Sequence, residues 1–241
     1  NFGGNNFEIG YSITSDMNGN IYVTGTTLST NFPTLNPLNG AYFQSSASGF
    51  NSFILKFNNN GILEWSTYYG GSFDDEGQSI ITDENGNLFI SGITNSNNLP
   101  TLNGLYNNYY QGPFGGGAQD IFIAKFNYNG TLLWSTYIGG AGNDWLGTFD
   151  NLELDVCNNL YLAFTTSSTN LPLLPSCDGG FFDNTYNGGV RDNYLIQFSN
   201  NGNPIWSTFI GGNGFDSRGA LAVDVNNNLF VTGEWTEVTD N

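Results

Sequence analysis

Acidic side chains follow four recurrent Gly-Gly pairs and are the residues of this chain best suited to chemistry. They are Glu8, the run Asp74, Asp75 and Glu76, then Asp144 and Asp216. A pair of carboxylates suffices to hydrolyse a glycosidic bond, and a ring of carboxylates can hold a cation. The run at 74–76 departs from the pattern of one acid per copy, so it is the strongest candidate for a binding function in this set.

A structural role explains the same acids equally directly. One carboxylate per copy can accept hydrogen bonds from backbone N–H groups in a repeated turn, whereas a catalytic pair would break the symmetry of the repeat. The chain contains no histidine, which excludes Ser-His-Asp, Cys-His and histidine-rich metal sites. We therefore expect no catalytic residues, no cofactor and no metal, and we treat the acids as candidate ligand-binding groups only.

A second set of aspartates opens four turns of the pattern Asp-x-x-Gly/Asn-Asn. They are Asp16, Asp83, Asp155 and Asp224. Oxygen-bearing residues at alternate positions resemble a calcium loop, but a calcium loop needs several carboxylates and a late bidentate glutamate, which these turns lack. We predict hairpin turns in which the Asp side chain binds the backbone two residues on.

Aromatic residues supply the other candidate binding surfaces. Trp145 follows Asp144, Tyr109 and Tyr110 lie in a loop of about 25 residues, and Trp235 lies near the end of the chain. Exposed rings of this kind stack on sugars or anchor protein partners. Alternatively the long loops fold back and bury their rings, with a recurrent Phe-Pro or Leu-Pro as anchor, which leaves the tips 107–117 and 176–189 for recognition.

The elements that must position these residues are set by a tandem repeat. The motif Trp-Ser-Thr-aromatic-x-Gly-Gly begins at Trp65, Trp134 and Trp206, and the Asp turn motif occurs four times. The second repeat predicts four short strands at 78–82, 88–94, 120–127 and 131–137, joined by turns rich in Asn and Gly. Each repeat is thus a four-stranded antiparallel sheet, although Cys157-Asn158 and Ala163-Phe164 make the third repeat the least regular.

Sheets of this size cover both faces by packing radially around an axis, which predicts an all-β fold of the β-propeller type. We place the blades at about 3–69, 70–138 and 139–210, with half a blade at 211–241, in one partial propeller domain of about three and a half blades. The chain starts and stops within the repeat, so we expect it to continue into further repeats of a longer polypeptide.

The order of these motifs resembles the bacterial SBBP family of β-propeller repeats. The resemblance rests on the Asp turn followed by aromatic-Val-Thr-Gly, on Asn31-Phe-Pro-Thr and Asn98-Leu-Pro-Thr, on Asp120-Ile-Phe-Ile-Ala-Lys, and on the Trp134 motif. The third repeat departs from it at Leu173 and Gln197. The resemblance implies a propeller in a secreted or surface-exposed protein, and it predicts architecture better than chemistry.

Composition narrows the range of partners. The net charge of −17 repels nucleic acids and anionic membranes, and the low charged fraction of 10% suits an extracellular or cell-surface protein. No segment approaches the roughly 20 apolar residues that a membrane helix requires, so we expect no membrane insertion. Cys157 and Cys177 either form a disulfide or remain as two thiols.

These observations lead to a ranked set of functions. First is a non-enzymatic extracellular propeller for adhesion, assembly or protein interaction, with a protein or glycan partner at the cell surface. Second is a carbohydrate-binding propeller that uses the exposed aromatic rings. Third is a carboxylate-based glycoside hydrolase, which would require two acids in one cleft.

Overall fold

The computed structural model describes residues 2–103, 111–147, 151–177 and 179–236, with only the backbone at 218 and 219. In these ranges the chain forms strands, turns and loops and contains no helix. Accordingly, no described segment is a helix long and apolar enough to span a membrane. The prediction of an all-β fold is confirmed.

The strands assemble into separate antiparallel sheets, one for each repeat. The first contains β1 (Glu8–Ser15), β2 (Ile21–Thr27), β3 (Asn51–Phe57) and β4 (Leu63–Tyr69). The second contains β5 (Asp75–Thr82), β6 (Leu88–Thr94), β7 (Asp120–Phe126) and β8 (Leu132–Ile138). The third contains β9 (Asp144–Trp145), β10 (Leu152–Leu154), β11 (Leu160–Thr166), β12 (Asp192–Phe198) and β13 (Pro204–Ile210). The fourth contains only β14 (Ser217–Val223) and β15 (Leu229–Glu234). Strands follow chain order in each sheet, except that β9 pairs directly with β11.

Strand positions in the second repeat agree with the prediction, with one extension. β5 begins at Asp75 rather than Gln78, because Asp75 to Gly77 pair with the end of β6 before a bulge at Gly77. A bulge of this kind interrupts the alternation of side chains, so the periodicity of the sequence does not reveal the first three residues.

The Asp turns form as predicted in all four repeats. In each, the Asp carboxylate accepts the backbone N–H two residues on, at 2.8–3.0 Å, and the N–H four residues on. The irregular third turn has the same geometry, because Asn158 adopts a positive φ of 60°, close to the 77° of Gly19 in the first turn.

The split first strand of the third sheet coincides with two sequence departures. Asp144 and Asp155 are 11 residues apart, whereas the equivalent Asp75 and Asp83 are 8 apart, and a phenylalanine replaces a close-packed glycine. Gly92 in β6 lies so close to β5 that a Cβ there would overlap the carbonyl oxygen of Glu76 and the ring of Phe122. The third repeat has Phe164 at this position, buried against Tyr194. A side chain of that size does not fit the close strand pairing found at Gly92. With the three added residues, the first strand is divided into β9 and β10.

The chain divides into two compact units. The first comprises Asn1–Gly104, Tyr110–Phe114 and Phe122–Tyr137, and the second comprises Leu105–Tyr109, Gly115–Ile121 and Ile138–Asn241. In the first unit, Trp65 and Tyr69 of the first sheet share a buried cluster with Phe122 and Phe126 of the second sheet. The ring centroid of Tyr69 lies 5.4 Å from that of Phe122 and 5.6 Å from that of Phe126. In the second unit, Leu195 of β12 packs with Leu221 of β14.

Each long loop between the second and third strands returns along the fourth strand. Its Pro carbonyl accepts the Ser hydroxyl of the Trp-Ser-Thr motif, at 2.7 Å for Ser66, 2.9 Å for Ser135 and 2.9 Å for Ser207. The residue before that Pro is buried in each loop: Phe32, Leu99 and Leu171. The prediction that the loops fold back on their own sheets is confirmed, and the fourth strand is thereby covered.

The close approach at Gly92 gives a test of this packing. We expect Gly92→Ala to lower the free energy of unfolding by about 2 to 3 kcal/mol, because the new methyl group has no space. The equivalent Gly233→Ala should cost less than about 1 kcal/mol, since its nearest contact would be 3.3 Å. Urea denaturation of both variants checks the difference, and equal effects would contradict the account.

Candidate functional site

The acids after the Gly-Gly pairs lie at a junction between the turn and the end of the second strand. Asp75 is fully buried and accepts hydrogen bonds from the backbone N–H of Gly71 (2.6 Å), the hydroxyl of Ser96 (2.9 Å) and the hydroxyl of Thr94. Asp144 repeats the arrangement with the equivalent residues Gly140 (2.9 Å), Thr166 (2.5 Å) and Ser168 (3.1 Å). These hydrogen bonds agree with the structural interpretation of the acids, in which each carboxylate accepts hydrogen bonds in a repeated turn.

The first and fourth repeats vary the same junction. Glu8 accepts the N–H of Gly4 at 3.1 Å and the hydroxyl of Thr27 at 3.0 Å. In the fourth repeat Trp235 replaces the threonine, and Asp216 instead accepts the N–H of Thr236 at 2.8 Å. The fourth repeat thus keeps its anchor while a large aromatic ring, 39% exposed, is placed beside it.

The run Asp74, Asp75 and Glu76 does not share one environment. Asp74 is exposed and accepts the N–H of Phe50 at 3.1 Å, whereas Asp75 is buried. Glu76 is half-buried and lies 3.5 Å from the hydroxyl of Tyr11. The three carboxylates therefore have three different sets of partners, and the ligand-binding role predicted for them stays a prediction.

Burial shifts the pKa of the carboxyl groups at and near these junctions. Desolvation raises the pKa of Asp75 and of Asp144 to about 6, against the opposing effect of their hydrogen bonds. Desolvation also raises the pKa of Asp120 to about 7 and that of Asp192 to about 6. Glu8 differs, because burial raises its pKa but hydrogen bonds from Ser29, Gly4 and Thr27 outweigh it, so the net pKa is lowered.

One recurrent element of the junction was missed in the sequence. The motif Thr-x-Ser-x-Asn occurs at Thr27, Thr94 and Thr166, at the start of each long loop. Its Asn carbonyl accepts a backbone N–H of the Gly-Gly turn, at 2.9 Å for Asn98 and 2.8 Å for Asn170. Its recurrence at a fixed offset is the signal that would have identified it.

A cavity of about 370 Å³ in the second unit contains one of the predicted site residues, Trp145. The Cζ atom of Arg191 lies 4.6 Å from the ring centroid of Trp145 and 4.3 Å from that of Phe215. Thr165 and Glu234 also line this cavity. Asp144 and Asp216 are the buried neighbours of Trp145 and Phe215 in sequence, and they hold the turns that carry these rings.

A second recess, which we call the β15 groove, is apolar. It has a volume of about 450 Å³ and is lined by Phe181, Leu195, Trp206, Ile210, Leu229, Val231 and Trp235. β15 is hydrogen-bonded to β14 on one side, and no described strand pairs with its other side. Unpaired edges of this kind bind extended segments unless they are covered.

The other sequence predictions concern two tyrosines, the two cysteines and metal binding. Tyr109 and Tyr110 lie outside the described residues. Cys157 and Cys177 are both free and exposed, so the alternative of two thiols holds rather than a disulfide. Among the described residues, no group of three or more acidic, histidine or cysteine side chains could hold a metal ion.

The repeated sheets and anchors define a repeat protein built from antiparallel β units. Two segments, residues 2–33 and 64–100, match the family model described as SBBP, beta-propeller repeat. The resemblance predicted from the motifs is therefore confirmed for these two segments.

The chain is also similar to individual proteins. It is 26% identical over 271 residues to an uncharacterized WD repeat-containing protein of Acanthamoeba polyphaga mimivirus, covering 92% of this chain and 19% of that protein. The chain thus spans about one fifth of the length of this relative. It is similar to the crystal structure of a protein of unknown function from Bacteroides caccae, with a TM-score of 0.41 and 10% identity, covering 93% of this chain and 53% of the other.

The four buried aspartates with raised pKa values predict an unusual dependence of stability on pH. Because their pKa values in the folded state lie above the ordinary aspartate value of 3.8, the folded state holds more protons between about pH 4 and 7, and stability falls as pH rises through that window. We expect the free energy of unfolding to be at least about 2 kcal/mol higher at pH 5 than at pH 7.5.

Asp120→Asn tests how much one buried carboxyl group contributes to this pH dependence. Oδ1 of Asp120 is buried without a hydrogen-bond partner among the described atoms, and Asn still offers an acceptor to the N–H of Gly115. This variant should flatten the pH profile, whereas Asp224→Asn should not, because hydrogen bonds from Asn228 hold the pKa of Asp224 low. Urea midpoints from pH 4.5 to 8 test this, and an unchanged slope in the Asp120 variant would contradict it.

Proposed function

We propose that this chain is a non-enzymatic protein-interaction module of the β-propeller type, within an extracellular or cell-surface protein that serves adhesion or assembly. The SBBP repeats and the similarity to a WD repeat-containing protein support an interaction module. The low charged fraction of 10% supports the location. In this proposal the sheets are blades of one domain, three of them complete at about 3–69, 70–138 and 139–210, and the fourth half-built at 211–241.

The observation that carries the proposal is the β15 groove, because equivalent positions in the first unit are covered. There Trp65 is 3% exposed and belongs to the same buried cluster as Phe122 and Phe126 of the neighbouring third strand, β7. The equivalent Trp206 is only half-buried, and the described residues provide no third strand beside β15. The apolar residues of the groove thus match a surface that a strand covers elsewhere in the same chain.

The covered interface also indicates what the groove accepts. In β7 the residues that face the neighbouring sheet are Phe122, Ala124 and Phe126, a large-small-large alternation. We therefore propose that the groove takes an extended protein segment with this alternation, either the third strand of a further repeat of the same polypeptide or a strand of a partner. This segment pairs antiparallel with β15 and inserts its apolar side chains into the groove. Main-chain hydrogen bonds provide affinity in such strand addition, and alternate side chains provide specificity.

A peptide of residues 118–139, which forms the β7–β8 hairpin in this chain, is the direct probe. Fluorescence anisotropy should show saturable binding of this peptide to the 241-residue chain. Val231→Asp should weaken binding at least tenfold, since it buries a charge in the groove. Val225→Asp is the matched control, because Val225 is 84% exposed in the turn of the same hairpin.

Two further outcomes bear on the proposal. A peptide with Phe122→Asp and Phe126→Asp should not compete with the native peptide. Equal binding by both peptides, or by the Val231 and Val225 variants, would show that the groove is not the docking surface.

A carbohydrate partner is the second candidate, and the exposure of Trp235 favours it. A glycan array with the Trp145→Ala and Trp235→Ala variants tests this candidate. A glycan that binds the parent chain and not these variants would replace the protein partner in the proposal.

A further inference from the structure

Arg191 differs from the other described basic side chains. Lys56 forms an ion pair with Glu64 at 2.8 Å, and Lys125 lies 3.7 Å from Asp83. Among the residues whose side chains are described, Arg191 is the basic residue without an acidic group within 4.0 Å. In a chain with a net charge of −17, a guanidinium that forms no ion pair with a described carboxylate is available to an external anion.

The position of Arg191 is fixed by its neighbours. Its carbonyl oxygen accepts the N–H of Asp216 at 3.0 Å, and its backbone bridges to Phe215. Two aromatic rings, those of Trp145 and Phe215, lie within 5 Å of its Cζ atom. Guanidinium groups stack favourably on aromatic rings, which restrains the side chain before any ligand arrives.

One donor of this side chain is unused. The Nε atom of Arg191 is buried and has no hydrogen-bond partner among the described atoms. Nε and the adjacent terminal nitrogen form one of the two edges with which arginine binds a carboxylate through parallel hydrogen bonds. A buried donor without an acceptor therefore points to a missing anionic group at this edge.

The cavity also lies where the repeat symmetry breaks. Arg191 replaces Phe50 of the first repeat and Gln119 of the second, directly before the third strand. Trp145 stands where the second repeat has Glu76, and Phe215 where it has Asp74. The adjacent anchors Asp144 and Asp216 keep their structural contacts, so these substitutions change the lining of the cavity without changing its frame.

We propose that the cavity beside Arg191 is a binding site for a single carboxylate of a protein partner, either a chain terminus or an Asp or Glu side chain. This inference rests on the proposed function for the nature of the partner. Arg191 holds the carboxylate through its fork of N–H groups, and the rings of Trp145 and Phe215 contact the apolar part of the ligand. Thr165 and Glu234 lie in the same cavity and can bind an amide N–H of the partner.

The charge of the chain favours one isolated carboxylate over a polyanion. With 21 acidic and 4 basic residues, the surface repels nucleic acids and acidic polysaccharides at long range. A peptide segment with one carboxylate and an apolar side chain suffers little of this repulsion. Its size also suits the cavity, since volumes of about 300 to 1,000 Å³ are usual for small-ligand sites.

NMR titration of the ¹⁵N-labelled 241-residue chain tests the site. The probes are N-acetyl-Ala-Phe with a free carboxylate, the same dipeptide as its C-terminal amide, and N-acetyl-Glu amide. We expect saturable shifts of the Arg191 Nε–H and Trp145 indole N–H signals with the free acid and none with the dipeptide amide. N-acetyl-Glu amide separates the two carboxylate sources, because it binds only if a side-chain carboxylate is accepted.

Variants assign the effect to Arg191. Arg191→Lys should weaken binding of the free acid at least tenfold, because lysine lacks the planar fork. Val231→Asp, which disrupts the β15 groove, should leave this binding unchanged, while Arg191→Lys should leave binding of the 118–139 hairpin unchanged. The two proposals can thus fail separately.

The parent chain alone can overturn the proposal. Equal shifts with acid and amide would show that the carboxylate is not recognised. The absence of saturable shifts with any probe, in a chain that still binds the hairpin peptide, would show that Arg191 and its rings are only a packing contact.

Discussion

An acidic side chain after each Gly-Gly pair, buried in the second, third and fourth repeats, is the interaction on which the rest of the structure depends. Asp75 joins the turn at Gly71, the end of the second strand at Thr94 and the start of the long loop at Ser96. These three segments are distant in sequence, and one carboxylate satisfies a donor from each. These hydrogen bonds offset part of the desolvation that raises its pKa, which explains why an acid can be buried there at all.

The same junction separates structural residues from functional ones. Recurrent polar positions, such as the acid and the serine of the Trp-Ser-Thr motif, have hydrogen-bond partners inside their own sheet or loop. Positions that differ between repeats line the open surfaces. Trp235 in place of the recurrent threonine contributes to the β15 groove, and Arg191 in place of Phe50 or Gln119 creates the charged cavity.

Much of the fold could be predicted from the sequence, because the repeat supplies the same local pattern several times. Turn chemistry fixed the hairpins at Asp16 and Asp83, and alternation fixed β6 and β7 to within a residue. The bulge at Gly77 depends on close contacts between strands, which a local pattern does not reveal. The split of the first strand in the third repeat has a signal in the sequence, because Asp144 and Asp155 are 11 residues apart instead of 8. The contacts of the loops with Ser66 and Ser135 likewise depend on tertiary packing.

The sites were harder to predict than the fold. The acids at 74–76 were the strongest candidates in the sequence, yet their side chains have separate environments. The sequence does not indicate Arg191 as a site residue, because four basic residues form no patch. Its importance follows from the convergence of Trp145, Arg191 and Phe215, which are far apart in the chain and meet only because the strand register brings them together.

Hydrogen–deuterium exchange at β15 is the measurement that tests the central claim most directly. The account predicts that the outward-facing amides of residues 229–234 exchange rapidly in the monomeric chain, and that every second amide becomes protected when the 118–139 hairpin is added. Protection of all these amides in the free monomer, or rapid exchange that persists when the hairpin is bound, would contradict the claim that the edge of β15 is the interaction surface.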